Sequence, residues 1–333
     1  MMSNTFIIAE AGVNHNGDIN LAKKLIDVAF DAGVDAVKFQ TWKTELLVTE
    51  DARMANYQIE NTLREETQFQ MLKRLELSYS DFILLKEYCD EKNIIFMSTP
   101  DEEQSATFLN NLQSIFKIGS GELTNIPFLR HIACFGKPVI LSTGMGYLSE
   151  IENAILTLTE AGIPLPDITV LHATTDYPTS PSDVNLRAMT TIENAFPGVT
   201  IGYSDHTLGI EIPIAAVALG AKVIEKHFTL DKTMQGPDHK ASLEPSELAN
   251  MVSAIRNIDR ALGDGWKIPT KAEKLNRNIV RKSIIARINI PIGTLISADM
   301  LEIKRPGNGI SAARWDEVVG SRAKKNYRKG ELI

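Results

Sequence analysis

The chain has 333 residues, 44% of them hydrophobic and 23% charged, which fits one large globular domain plus a small one. A net charge of −7 argues against nucleic acid as the main partner, and no apolar run approaches the roughly 20 residues that span a bilayer. The two cysteines, Cys89 and Cys134, lack CxxC spacing, which argues against a disulfide framework or thiolate metal site and for a reducing cytoplasm.

At the N-terminus, "MMSNTFIIAEAG" has no basic stretch ahead of a long apolar core, so no signal peptide is expected. Eight short apolar runs then follow in order, at 6–12, 36–41, 94–100, 115–121, 138–144, 168–175, 200–206 and 222–229. Between most of them lie segments with apolar residues three and four apart, such as "NLAKKLIDVAFDAG" and "YLSEIENAILTLTEAG", each closed by glycine. A strand–helix unit repeated eight times predicts parallel pairing and an α/β fold of the (β/α)8 TIM-barrel kind. The alternative is an open doubly wound sheet. It usually carries a glycine-rich phosphate loop after its first strand, and "AEAGVNHNG" is not GxGxxG.

In a barrel, chemistry sits at the C-terminal ends of the strands. Polar residues gather there: Glu10, Lys38, Gln40, Ser98, Lys117, Ser120, Ser142, Thr174, Ser204, His206, Glu225 and His227. Polar groups at all eight ends predict a wet, charged pocket at one mouth. His206 and His227 end strands seven and eight, which are neighbours in a barrel. A lone histidine in such a run is more often a satisfied core residue, but two in register can share one divalent ion. Substrate oxygens and water would complete the shell, and without cysteine the pair suits manganese or magnesium better than structural zinc. Lys38 and Lys117 lie inside apolar strands, where an unpaired ammonium is costly. With the hydroxyls of Ser120, Ser142 and Ser204 they make a cradle for a phosphate and a carboxylate. Glu10 and Glu122 are expected at the same mouth as candidate acids or bases, and Asp205 as an orienting partner for His206 or its loop.

From Trp266 onward the chain holds 15 Lys+Arg against 6 Asp+Glu, a balance of +9, while the remainder carries −16. Such a sign change marks a domain boundary near residue 265. Beyond it, "RKSIIARINI" and "GTLISADMLEI" are apolar enough for a small core.

Taken together, "AEAGVNHNGD", "VKFQT", "FKIGSGE", "ILSTGM", "LHATTDYPT", "GYSDHT", "EKHFT", "GPDH" and "KRPGNG" resemble the sialic acid (N-acylneuraminate) synthase family, from residue 9 to 309. The resemblance implies a catalytic barrel over 1–265, a linker over 266–282 and an antifreeze-like (SAF) lid domain over 283–333. It also implies a homodimer in which each lid swaps onto its partner's barrel mouth. A linker of about 18 residues spans up to ~60 Å when extended, so the swap is physically possible. The implied reaction condenses phosphoenolpyruvate with an N-acyl hexosamine and releases phosphate by C–O cleavage, with a divalent metal, manganese or magnesium. Carried over by position, Lys38, Lys117, Ser120, Ser142 and Ser204 would hold phosphoenolpyruvate, and His206 and His227 the metal. Gln40, Tyr177 and Asp238 would hold the acceptor, Glu10 the acceptor or the attacking water, and Arg305 would reach in from the partner's lid. Glu10, Lys117, His206 and His227 carry the catalytic expectation. Thr175 stands where the sialic acid synthases proper carry asparagine, and "HATTDYP" looks like the branch that makes N,N'-diacetyllegionaminate from 2,4-diacetamido-2,4,6-trideoxymannose. N-acetylmannosamine is the second choice of acceptor, and the altrose isomer leading to pseudaminate the third. Among rivals, a Schiff-base aldolase would favour a lysine on strand six, which "ITVLHATT" lacks. An inactive carbohydrate-binding protein should have lost metal or phosphate residues, all of which are present.

Overall fold

The computed structural model describes residues 4–333, in two compact units that divide between Gly263 and Asp264. The first unit holds eight parallel strands: β1 (Phe6–Gly12), β2 (Ala36–Thr41), β3 (Ile95–Pro100), β4 (Phe116–Ile118), β5 (Val139–Ser142), β6 (Ile168–Ala173), β7 (Thr200–Asp205) and β8 (Val223–His227). Each lies inside one of the eight apolar runs. They pair in the order β3-β2-β1-β8-β7-β6-β5-β4, so β1 joins β8 and the sheet rolls into a (β/α)8 barrel. Helices form where the three- and four-residue periodicity predicts them. The segment after β1 becomes the helix Ile19–Ala32, capped by Asp18 and ended by Gly33 at φ 76°, a left-handed conformation that a Cβ would strain.

Strand alternation decides what faces the barrel axis. Ile8, Ala36, Met97, Ile140, Leu171 and Val223 form a buried apolar floor inside it. Two residues further along their strands, with the same facing, stand Glu10, Lys38, Thr99, Ser142, Ala173 and Glu225. In one step the axis therefore passes from an apolar floor to a charged layer. Residues of the opposite parity, such as Ile7, Val37, Phe39, Val170 and Ile224, pack in the core with helix residues such as Leu25 and Leu85.

One edge of the rolled sheet is not laced by backbone. Among the described residues no ladder joins β3 to β4, which is only three residues long. There the Ser98 N–H donates to the side-chain oxygen of Gln113 at 2.7 Å.

The second unit opens with a feature that an extended linker would not have. Residues Lys271–Val280, within the expected linker, form a helix with a Thr270–Glu273 capping box. At 1.5 Å per helical residue this segment reaches much less far than the extended ~60 Å. Beyond it, β9 (Ser283–Ala286) pairs antiparallel with β10 (Leu301–Lys304), over a small core that includes Ile284, Ile290, Ile296, Leu301 and Val318. No described helix is long and apolar enough to cross a membrane.

Candidate active site

The charged layer opens into a cavity of about 180 Å³ at the C-terminal ends of the strands. Glu10, Lys38, Gln40, Thr99, Asp101, Lys117, Ser120, Ser142, Thr175, Tyr177, Ser204, His206, Glu225 and His227 line it. Lys38 Nζ lies 2.6 Å from Glu10 Oε2, 2.8 Å from Thr99 Oγ1 and 3.7 Å from Glu225 Oε2. Lys117 Nζ lies 3.5 Å from Glu225 Oε1, which also accepts from Ser204 Oγ at 3.0 Å. Two ammonium groups and two carboxylates thus interleave in a buried space, where unpaired charge would be costly.

Their titration follows from that arrangement. Burial pushes the Glu10 carboxyl up to about 7, although Lys38 pulls the other way. Burial opposes the charge on Lys38, but Glu10 and Glu225 outweigh it and raise the lysine above its ordinary value. Burial wins at Lys117 and lowers it. At Glu225 burial is outweighed by Lys117 and Lys38, which hold it below the usual carboxylate range. Asp101 is pushed up to about 7, again chiefly by burial.

With Ser204, the hydroxyls of Ser120 and Ser142 complete this side. Ser120 Oγ accepts from Gly144 N–H at 3.0 Å, which leaves its own hydrogen free to donate. Ser142 Oγ is buried without a hydrogen-bond partner. Gly144 is obligatory here: a Cβ would stand 2.6 Å from Thr175 Cγ2 and 2.9 Å from Ser120 Oγ.

On the opposite side, the rings of His206 and His227 lie 5.3 Å apart, centroid to centroid. Burial pushes His206 down to about 4 and His227 well below its usual value, so both are neutral at pH 7. His206 Nδ1 stands 2.6 Å from the Thr174 carbonyl, which can only accept. The proton therefore sits on Nδ1, and Nε2 keeps its lone pair. His227 Nδ1 is buried without a hydrogen bond, 3.7 Å from Asp238 Oδ2. Burial pushes Asp238 itself up to about 7. No third His, Cys, Asp or Glu joins the pair in a metal-binding cluster among the described residues. Two neutral imidazoles with free lone pairs fit a divalent ion whose remaining positions go to water and substrate.

The NeuB family profile matches residues 25–267, and the SAF domain profile matches 281–333. The N,N'-diacetyllegionaminic acid synthase of Campylobacter jejuni is 52% identical, over 100% of this chain and 99% of its own. The enzyme of the same name from Legionella pneumophila is 48% identical, over 98% and 93%. Among solved structures, an N-acetylneuraminic acid (sialic acid) synthetase from Leptospira borgpetersenii superposes with a TM-score of 0.73 at 39% identity, over 82% of this chain and 90% of that one. The chain belongs to the NeuB family.

In this NeuB-family barrel most of the residues expected at the site do converge. Glu10, Lys38, Gln40, Lys117, Ser120, Ser142, Tyr177, Ser204, His206 and His227 line one cavity, and Asp238 stands just behind His227. Ser98 and Thr174 do not line it; their neighbours Thr99 and Thr175 do. A one-residue slip reverses the facing of a strand residue, and Ser98 instead bonds Thr41 outside the axis. Glu122 is also outside the lining, where its carboxylate accepts from Asn125 Nδ2 at 2.5 Å. Asp205 does orient a loop, accepting from the Thr207 N–H and hydroxyl, and it is ion-paired with Lys226 at 2.5 Å. Arg305 belongs to the second unit, where its Nε–H donates to the Val280 carbonyl at 3.0 Å. Two residues were given no role from the sequence. Glu225 bridges the two lysines, and Asp101 follows β3. The signal for Glu225 was its spacing two residues before His227.

Proposed function

We propose that this NeuB-family chain condenses phosphoenolpyruvate with 2,4-diacetamido-2,4,6-trideoxymannose to give N,N'-diacetyllegionaminate and phosphate. The observation that carries this is the convergence of two lysines and three serine hydroxyls facing two neutral imidazoles. The identity to the two legionaminic acid synthases supports the choice of acceptor. Lys38 and Lys117 would turn from Glu10 and Glu225 to the phosphate and carboxylate of the substrate, with Ser120, Ser142 and Ser204 donating to the same oxygens. Once the bound substrate holds the lysines in place, little further reorganisation is needed as charge moves toward the phosphate. The methylene carbon of phosphoenolpyruvate attacks the acceptor aldehyde, water adds to the resulting cationic carbon, and its C–O bond to phosphate breaks. Glu10, poised near pH 7, is suited to take the proton from that water. Gln40 Nε2 donates to Glu10 Oε1 at 2.9 Å and fixes the carboxylate plane.

His206 and His227 would hold manganese or magnesium, which when bound polarises the aldehyde oxygen. Tyr177 and Asp238 stand on that side and would contact the sugar. The helix Lys271–Val280 has no buried residue and exposes Leu275, Ile279 and Val280, as expected if it packs on a second copy in a swapped homodimer. Arg305 would then enter the partner's site.

The test is phosphate release from phosphoenolpyruvate in the presence of each candidate sugar. The diacetamido sugar should be used with the highest kcat/KM, and the chain should lose activity on chelation. In oxygen-18 water the label should enter the sugar acid and not the phosphate. Label in the phosphate overturns the C–O cleavage scheme.

A further inference from the structure

Between β2 and the helix Tyr79–Lys92 the chain makes an excursion over residues 42–78 that includes the helix Asn56–Thr62. This helix is tied down at two points on the loop after β8. Asn61 Nδ2 donates to the Pro237 carbonyl at 2.7 Å, and Lys240 Nζ donates to the Glu60 carbonyl at 3.2 Å. Asp238 sits between those two anchors.

The helix carries Tyr57, whose ring stacks on Tyr177 with centroids 5.0 Å apart and planes inclined by 27°. Tyr177 in turn lies 4.1 Å from the ring of His206 and meets His227 edge-on at 5.6 Å. A chain of ring contacts thus links a helix outside the barrel wall to the two histidines. Tyr177 lines the cavity and Tyr57 does not. Burial, reinforced by the Asp238 carboxylate, raises the pKa of Tyr57, so its ring packs as a neutral phenol.

The cavity, at about 180 Å³, is smaller than the roughly 300 Å³ at which pockets for organic ligands usually begin. It suits the small enol phosphate. In the synthase reading, a hexosamine beside it would extend past the histidines along Tyr177. Without Tyr57, the Tyr177 ring would lose its stacked partner and keep, among its ring contacts, only the tilted His206 and the edge-on His227. Fixed aromatic faces favour C–H and acyl methyl groups, whereas a hydroxyl laid on them loses water without gaining a partner.

We infer that Tyr57 is a positioning residue that locks Tyr177 and thereby makes the acceptor side select sugars rich in acyl and deoxy groups over hydroxyl-rich ones. This rests on the synthase reading above. The test compares wild type, Tyr57→Phe and Tyr57→Leu with saturating divalent metal, using the diacetamido-trideoxy sugar and N-acetylmannosamine. Tyr57→Leu should raise KM for the diacetamido sugar about five- to tenfold and reduce the preference over N-acetylmannosamine by a similar factor. KM for phosphoenolpyruvate should stay within about twofold, and Tyr57→Phe, which keeps the stack, should restore both sugar values. The inference falls if wild type is active and Tyr57→Leu leaves the sugar preference unchanged. It also falls if both substrates' KM values rise together, or if phenylalanine fails to rescue. A wild-type chain that releases no phosphate with either sugar overturns the synthase reading, and this inference with it.

Discussion

At the scale of single residues, the facing of a side chain mattered more than its type. Lys38 and Lys117 point to the axis and enter the site, whereas Lys226, on the opposite parity, is fully buried against Asp205 and the Thr207 carbonyl. Replacing Lys226 with Met should leave the Asp205 carboxylate buried and unpaired, at a cost of about 3–5 kcal/mol in urea unfolding. A loss below 1 kcal/mol would mean that Asp205 is relieved some other way. His15 makes a second case. Burial pushes it down to about 4, while its Nδ1 accepts the Gly17 N–H at 3.0 Å. The folded value lies below the unfolded one of about 6.5, so the unfolded chain takes up the proton first. Its contribution to stability is therefore whole above pH 6.5 and is lost as pH falls towards 4. His239, also lowered to about 4 by burial, acts in the same window. Urea midpoints should fall across that range, and His15→Asn, which keeps an acceptor, should flatten the slope. Of these residues, the sequence reading recovered the two inward lysines and the paired histidines, because polar groups interrupting apolar runs stand out. Glu225 was placed at the mouth without a role and Lys226 was not assigned, since only the finished strand shows which partners a carboxylate or an ammonium meets.

At the scale of elements, all eight strands fell inside runs visible as β-branched and apolar stretches. Alternation was read a residue out at Ser98 and Thr174, where only the actual register places Thr99 and Thr175 on the axis. The helix in the expected linker had a signal too. Thr270 and Glu273 have capping-box spacing, but a basic, weakly apolar segment read more readily as extended chain. The turn after β5 gives a prediction at this level. Gly144→Ala would drive a methyl against Ser120 Oγ and Thr175 Cγ2, at an overpacking cost of about 1–3 kcal/mol. KM for phosphoenolpyruvate should rise about tenfold, equivalent to ~1.4 kcal/mol, while KM for the sugar changes little. An equal rise in both would place Ser120 outside the phosphate cradle.

For the whole molecule, the charge asymmetry between an acidic barrel and a basic second unit was readable from counting alone. Whether copies of the chain assemble was not, because a charge count does not distinguish a unit placed on its own chain from one placed on another. Arg305→Ala should weaken the sugar by about 1.5–3 kcal/mol, the loss of a charged hydrogen bond, and leave phosphoenolpyruvate nearly untouched. Mixing Arg305→Ala with Lys117→Ala chains should recover activity if each lid serves the neighbouring barrel. No recovery, with mixed dimers shown to form, would return the arginine to its own subunit or remove it from the site.

The unlaced edge between β3 and β4 has a consequence for how the barrel opens. Gln113 supplies by a side chain what a neighbouring strand supplies elsewhere, so the roll has a designated place to part. The Ser98 amide should report it by exchanging with deuterated solvent sooner than the amides of β1 or β8, which are held by ladders on both sides. Thr99 and Asp101, next along that strand, line the cavity. An anion held there should slow the exchange at Ser98, and Gln113→Leu should quicken it even with the anion in place.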